Sequence, residues 1–142
     1  ALEMLGLYPE AISSYDKALN LHPKSEVLSS IWQSRGDAWQ YGLGQYEEAI
    51  RCYDQVLKIN PESGTAWQNR GNAFLYGLKH YEDAIASYNR AICIDPEDHL
   101  SWRNRGNALV ELKRYEEAIA SFERALAIKP DDQIAWQARM LV

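Results

Sequence analysis

An eight-residue phrase occurs three times in this chain of 142 residues. It reads WQSRGDAW at 32–39, WQNRGNAF at 67–74 and WRNRGNAL at 102–109, and Trp, Arg, Gly and Ala are kept in every copy. Self-similarity at a fixed spacing of about 20–50 residues is the signature of a fold in which similar units stack on one another. The phrase therefore predicts a repeat array.

A second phrase follows each copy and completes the unit. It consists of an aromatic residue, two acidic residues and alanine, then a further aromatic residue and a closing proline. The closing prolines are Pro61, Pro96 and Pro130, so the spacing is 35 and then 34 residues. The predicted units are 1–23 (the second half of a unit), 24–61, 62–96, 97–130 and 131–142 (the start of another). We expect one continuous repeat domain that is a segment of a longer array.

The first two complete units contain an insertion that the third lacks. They carry Tyr41-Gly42 and Tyr76-Gly77 where the third unit has only Glu111. We expect the extra residue near the turn between two helices, with Gly77 ending the first helix as a C-terminal glycine. The two inserted tyrosines are either aromatic side chains that contact a ligand or a means of widening the turn.

Each unit is predicted to form two antiparallel helices. Residues at helical spacing in the second complete unit are Trp67, Arg70, Gly71 and Phe74, followed by Ala84, Ile85, Tyr88 and Ile92. Gly71 and Ala84 have almost no side chain, so two helix backbones can approach closely there. Trp67 and Tyr88 are expected to fill the space between adjacent helix pairs.

The pattern resembles the tetratricopeptide repeat, which has Trp, Gly, an aromatic, Ala, another aromatic and Pro at fixed places in 34 residues. The matching positions are Trp32, Gly36, Trp39, Ala49, Tyr53 and Pro61, then Trp67, Gly71, Phe74, Ala84, Tyr88 and Pro96, then Trp102, Gly106, Leu109, Ala118, Phe122 and Pro130. Arginine replaces the usual leucine before each glycine, a variant similar to repeats in bacterial, notably cyanobacterial, proteins. The resemblance implies an all-α fold, a right-handed α-solenoid of antiparallel helix pairs whose first helices line a concave groove.

Composition excludes several other classes of protein. A net charge of −5 argues against binding to nucleic acid or to an anionic membrane, because both need clustered Lys and Arg. No apolar run approaches the roughly 20 residues of a membrane span. The three histidines fall in turns, Cys52 and Cys93 match no metal or redox spacing, and no phosphate-binding glycine pattern is present. We predict a non-catalytic, cytoplasmic segment without metal or cofactor, and two cysteines that are at least partly buried.

The resemblance also implies candidate peptide-binding residues on the polar side of the first helices. They are Gln33, Asp37, Gln68, Asn69, Asn72, Arg103, Asn104, Asn107 and Gln137. Side-chain amides can both donate and accept, which suits the backbone of an extended peptide, and Arg103 would hold an acidic group. Asn72, Asn104 and Arg103 resemble part of the clamp that holds chaperone tails, but Gln68 stands where the clamp needs lysine. The alternative is that these residues are merely solvated.

The repeated arginines at positions 35, 70, 105 and 139 also allow two interpretations. They form either a basic stripe for an acidic partner or structural pairs with acids of the second helices, such as Asp54 and Glu123. The structural interpretation is favoured, because these arginines keep step with Trp and Gly rather than with the polar side of the first helices.

Three functions are compatible with these patterns. The first is a protein-interaction scaffold that binds an extended peptide or a partner helix, of unidentified source, in the concave groove. The second is a regulatory or localising arm of a larger enzyme, such as a kinase or a protease, with its catalytic part elsewhere. The third is self-association through the terminal repeats, since end units of such arrays need polar caps and none is visible here.

Overall fold

The computed structural model describes residues 7–142, which form eight α-helices, two π-helical segments and no β-strand. The helices are α1 Tyr8–Leu19, α2 Ser25–Asp37, α3 Tyr46–Ile59, α4 Gly64–Asn72, α5 Tyr81–Ile94, α6 His99–Glu111, α7 Tyr115–Ile128 and α8 Gln133–Met140. The π-helical segments, π1 Ala38–Gly42 and π2 Ala73–Leu78, continue α2 and α4. Each helix packs on the helices before and after it, so the predicted all-α solenoid of helix pairs is confirmed. None of these helices is long and apolar enough to cross a membrane.

Capping side chains fix where three of the first helices begin. The side chain of Ser63 accepts a hydrogen bond from the Ala66 N–H at the start of α4. Asp98 and Asp132 cap α6 and α8 in the same way. Each cap satisfies a backbone N–H that has no partner within the helix, which sharpens the turn that follows each closing proline.

One buried aromatic ring per helix pair forms the centre of the core. Tyr53, Tyr88 and Phe122 on the second helices are all fully buried. Each lies against a glycine of the paired first helix: a Cβ added at Gly36, Gly71 or Gly106 would stand 2.7, 2.6 or 2.5 Å from the ring. The glycine of the repeated phrase is therefore required by ring packing, as the sequence indicated.

The tryptophans occupy a different place from the one predicted. Trp67, which was expected to fill the space between adjacent helix pairs, is only partly buried. Trp102 is also partly buried and packs against a small buried cluster formed by α7 and α8. The indole N–H of Trp67 donates to the carbonyl of Pro61 (2.9 Å), and Arg70 and Arg90 lie 5.6 and 5.3 Å from the ring centroid. The hydrogen bond joins the first helix to the preceding turn. The two arginines make cation–π contacts with the indole ring.

The inserted residue is absorbed as a π-helical turn rather than as a longer loop. The third complete unit lacks the insertion, and its first helix stays α-helical to Glu111. The prediction that Gly77 ends the first helix is wrong, because Gly77 lies within π2 and Lys79 takes the left-handed conformation (φ 57°). Gly77 is instead needed for packing, since an added Cβ would overlap the ring of Tyr46. Gly42 receives Tyr8 in the same way.

Candidate functional site

Polar side chains of the first two complete units form a hydrogen-bonded cluster around Asp37. Its Oδ1 accepts from the Tyr53 hydroxyl (2.8 Å), from Gln33 Nε2 (3.2 Å) and from Asn69 Nδ2 (3.4 Å). The Tyr41 hydroxyl donates to Asn69 Oδ1 (3.1 Å). Since Asp37 lies on α2 and Asn69 on α4, these bonds join one unit to the next.

The same arrangement recurs one unit later, with Asn72 in the place of Asp37. Asn72 Oδ1 accepts from the Tyr88 hydroxyl (2.6 Å) and from Asn104 Nδ2 (3.2 Å). The Tyr76 hydroxyl donates to Asn104 Oδ1 (2.7 Å) and accepts from Asn107 Nδ2 (3.3 Å). The asparagines predicted to bind a peptide backbone therefore already form hydrogen bonds between units.

The network stops at the third complete unit. Phe122 has no hydroxyl to donate. Ala138 occupies the position that corresponds to Asn69 and Asn104 in the preceding units. Within residues 7–142, the Asn107 side chain makes only its bond to tyrosine, and Gln137 is exposed with no side-chain hydrogen bond. Tyr53 and Tyr88 are each followed by an asparagine in the next unit, Asn69 and Asn104, whereas Phe122 is followed by Ala138 at that place. This covariation between units is a sequence signal that could have revealed the network.

Two other candidate residues contact the caps of the following helices. Gln68 Nε2 donates to Asp98 (3.2 Å), and Arg103 Nη1 donates to both carboxylate oxygens of Asp132 (3.1 Å each). Burial opposes ionisation of Asp132, but the Ala135 N–H and Arg103 outweigh it and hold the pKa of this carboxyl below its usual range. Arg103 is thus already paired within the chain, so its contacts do not support a role in holding a ligand's acidic group.

The repeated arginines make structural pairs. Arg70 Nε donates to Asp54 (2.8 Å) and its Nη1 donates to the hydroxyl of Ser87 (2.8 Å), while Arg139 pairs with Glu123 (2.9 Å). Equivalent bonds join Arg35 to Asp16 and Cys52, and Arg105 to Asn89 and Ser121. The guanidinium groups of Arg35, Arg70 and Arg105 each bridge the second helices of two consecutive units, which confirms the structural interpretation.

The cysteines differ from each other in environment. Cys52 is fully buried, as predicted, and burial raises the pKa of its thiol, which makes it unreactive. Cys93 is exposed, so its predicted burial is wrong. Over the described part of the chain, no three His, Cys, Asp or Glu side chains converge as a metal site would require.

Three clefts adjoin the candidate residues, and two of them also include an inserted tyrosine. We call the surface formed by the nine candidate residues together with Tyr41 and Tyr76 the candidate groove. The larger cleft, of about 450 Å³, is lined by Leu75, Tyr76, Lys79, Tyr81, Asn107, Val110, Glu111, Ala138, Leu141 and Val142. The smaller, of about 210 Å³, is lined by Tyr8, Ser34, Asp37, Ala38 and Tyr41. The rings of Tyr41 and Tyr76 are 61% and 56% exposed, which leaves them free to touch a ligand.

Asp37 has an unusual electrostatic environment. Burial raises the pKa of its carboxyl, and the hydrogen bonds from Tyr53 and Gln33 offset that rise only in part. Its hydrogen-bond partners are all neutral, and no ion pair joins it to another described residue. A half-buried carboxylate without a counter-charge is thus built into the candidate groove.

Asp37→Asn is expected to gain stability relative to the wild type as the pH rises from acid to neutral. The raised pKa means that the folded state holds the proton more tightly than the unfolded chain. This contribution to stability is present below the ordinary Asp pKa and is lost as the pH rises through the folded value. Asparagine cannot ionise, and Asn72 shows that an amide serves the same hydroxyl.

Urea unfolding followed by circular dichroism at acid and neutral pH measures this difference. Glu97→Gln, at an exposed turn position, controls for the loss of one negative charge. A difference between Asp37→Asn and wild type that stays constant with pH, or that shifts in favour of the wild type as the pH rises, would show that the Asp37 pKa is not raised.

Sequence models of the tetratricopeptide repeat match two overlapping parts of the chain, residues 40–99 and residues 73–142. No curated protein sequence matches it. Among solved structures, the tetratricopeptide repeat domain of Arabidopsis OM64 is 30% identical, covers 83% of this chain and 96% of its own, and superposes with a TM-score of 0.79.

Two further solved structures are similar. The second such domain of human RPAP3, in complex with the HSP70 peptide SGPTIEEVD, is 25% identical over 83% of this chain and 97% of its own, with a TM-score of 0.78. MamA is 21% identical over 99% of this chain and 79% of its own, with a TM-score of 0.90, which shows a shared fold.

Proposed function

Because this chain belongs to the tetratricopeptide repeat family, we propose that it is a protein-interaction scaffold that binds an extended peptide or a partner helix along the candidate groove. The observation that carries the proposal is the larger cleft. It combines an apolar floor, formed by Leu75 and Val110, with the exposed ring of Tyr76 and the amide of Asn107. Peptide sites join apolar pockets to a few polar groups in this way.

Spare hydrogen-bonding capacity supports a peptide as the ligand. Asn107 donates one hydrogen bond to Tyr76 and makes no other with a side chain between residues 7 and 142. Its amide can therefore accept from, and donate to, the backbone of a bound chain. An apolar side chain of the ligand would fill the cleft beside it.

Charge supports a ligand that differs from the one in the solved relative. The RPAP3 peptide SGPTIEEVD carries three acidic residues. In this chain Arg103 is paired with Asp132, and no cation from residues 7–142 pairs with Asp37. The larger cleft contains one residue of each charge, Lys79 and Glu111. An acidic peptide would thus gain little from this surface, and a neutral or basic peptide fits it better.

Panning a phage-displayed library of random dodecapeptides on the immobilised protein tests the proposal. Tyr76→Ser combined with Asn107→Ala is expected to weaken binding of the selected peptides about tenfold or more, because aromatic anchors dominate interface energies. Tyr115→Ser is the matched control, since Tyr115 is 47% exposed and lies at the start of α7, outside both clefts.

The choice of variants follows from the contacts. Replacing Asn72 or Arg103 with alanine would remove a partner of the buried Tyr88 or of the α8 cap and confuse loss of folding with loss of binding. The double variant removes only the bonds of the exposed Tyr76 to Asn104 and Asn107, and its folding is checked by circular dichroism. Recovery of no peptide by the wild type, or equal binding by the double variant and the control, would remove the candidate groove as the binding site.

A further inference from the structure

The smaller cleft beside Asp37 combines a carboxylate with two aromatic rings. We propose that this cleft receives the ammonium group of a lysine side chain from the peptide bound in the candidate groove. The inference rests on the proposed function and names the chemistry of its ligand. The cleft, of about 210 Å³, has room for the end of one such side chain between Tyr8 and Tyr41.

Every hydrogen bond that Asp37 makes with the side chains of residues 7–142 falls on one oxygen of its carboxylate. The donors Tyr53, Gln33 and Asn69 converge on Oδ1. No donor from residues 7–142 reaches Oδ2. Asp37 lines the cleft, so its second oxygen is an acceptor available to a group that enters there.

Among the described residues, no cation compensates the charge of Asp37. Its three donors are a hydroxyl and two amides, all neutral, and burial disfavours the ionised carboxylate. A cation entering the cleft would supply the missing counter-charge at short range, in surroundings less polar than bulk water. The site therefore favours a positively charged ligand group over a neutral one.

The two tyrosine rings give such a cation a second set of contacts. Tyr8 packs against Gly42, and Tyr41 is 61% exposed with its hydroxyl held by Asn69. Aromatic faces attract cations through the ring quadrupole, and the methylene chain of lysine packs well on them. A side chain that passes between the rings would bring its charged end to the carboxylate.

A single carboxylate oxygen without a donor from residues 7–142 favours lysine over arginine. A guanidinium gains most when it binds both oxygens of a carboxylate as a planar fork, and Oδ1 of Asp37 is already occupied by three donors. An ammonium group behaves as a point charge that one oxygen can satisfy.

The next unit contains a natural comparison. Tyr46 packs on Gly77 as Tyr8 packs on Gly42, and Tyr76 corresponds to Tyr41. Asn72 replaces the aspartate there and is neutral. The equivalent position in the second complete unit thus keeps the aromatic side chains and lacks the charge, and it should show no preference for lysine.

Immobilised peptide pools test the inference. In each pool one position is fixed as lysine, norleucine, arginine or glutamate, and the other positions are mixed. At one position the wild type is expected to bind the lysine pool about tenfold better than the norleucine pool. Asp37→Asn should bring this ratio close to one, whereas the exposed Glu97→Gln, which removes the same charge elsewhere, should keep it.

Asn72→Asp tests the inference by gain of function. It should create a second lysine-preferring position, and it decides the matter even if Asp37→Asn fails to fold by circular dichroism. Peptide binding without a lysine preference, an equal preference for arginine, or a preference that survives Asp37→Asn would overturn the inference and leave the proposed function intact. A wild-type protein that binds no pool would overturn both.

Discussion

Phe122→Ala is expected to lower the free energy of unfolding by about 3–5 kcal/mol. The ring is fully buried between α6 and α7, and it fills the space that the missing side chain of Gly106 leaves. Alanine would leave a cavity that the surrounding helices cannot close, because Ala108, Leu109 and Ala118 are already packed around it. Urea unfolding followed by circular dichroism measures the loss.

Trp102→Ala is the matched comparison for this prediction. The indole is larger than the phenyl ring, yet it lies partly exposed on the side of the stack. Its removal should therefore lower stability by less than the removal of Phe122. An equal or larger loss would mean that the core is centred on the tryptophans after all.

Gly71→Ala is expected to lower the free energy of unfolding by about 1–3 kcal/mol. Alanine is the better helix former by roughly 1 kcal/mol, so propensity alone predicts the opposite sign. The added Cβ would stand 2.6 Å from the ring of Tyr88, which is fully buried and held at its hydroxyl by Asn72 (2.6 Å). Because the ring is held at both its edge and its hydroxyl, it cannot move aside. The steric cost of the added methyl group therefore exceeds the gain in helix propensity.

Gly64→Ala separates the two effects. Gly64 begins α4, and the nearest atom to its added Cβ is a methyl group of Ile94 at 3.6 Å, an ordinary contact. This variant should be neutral or more stable by up to about 1 kcal/mol. If both glycine variants were stabilised alike, close approach of the helices at Gly71 could not be the reason for its presence.

Local spacing explains why the fold was predictable. The distances between Trp, Gly, Ala and the aromatic residue within one unit specify which residues share a helix face. The absence of a Cβ at Gly36, Gly71 and Gly106 specifies where a ring can enter. These are properties of a single helix pair, and three copies repeat them.

Contacts between units were only partly predictable. The pairing of Arg70 with Asp54 and of Arg139 with Glu123 was anticipated because both arginines keep the period of the repeat. The pairing of Arg103 with Asp132 was missed, because the cap residue of α8 comes from the following unit. The burial of Tyr88 was expected from spacing, but the bonds of the Tyr53 and Tyr88 hydroxyls to the candidate groove were not.

By itself the sequence determined the repeat, its two helices and the glycine beneath each buried ring, because size and spacing act within one unit. Only the tertiary structure decided how the insertion is absorbed and which side-chain amides form hydrogen bonds between units. It also decided which oxygen of Asp37 receives the hydrogen bonds of its neighbours. Those features depend on ångström distances between side chains about one repeat apart in the chain, and these distances exist only once the units have stacked.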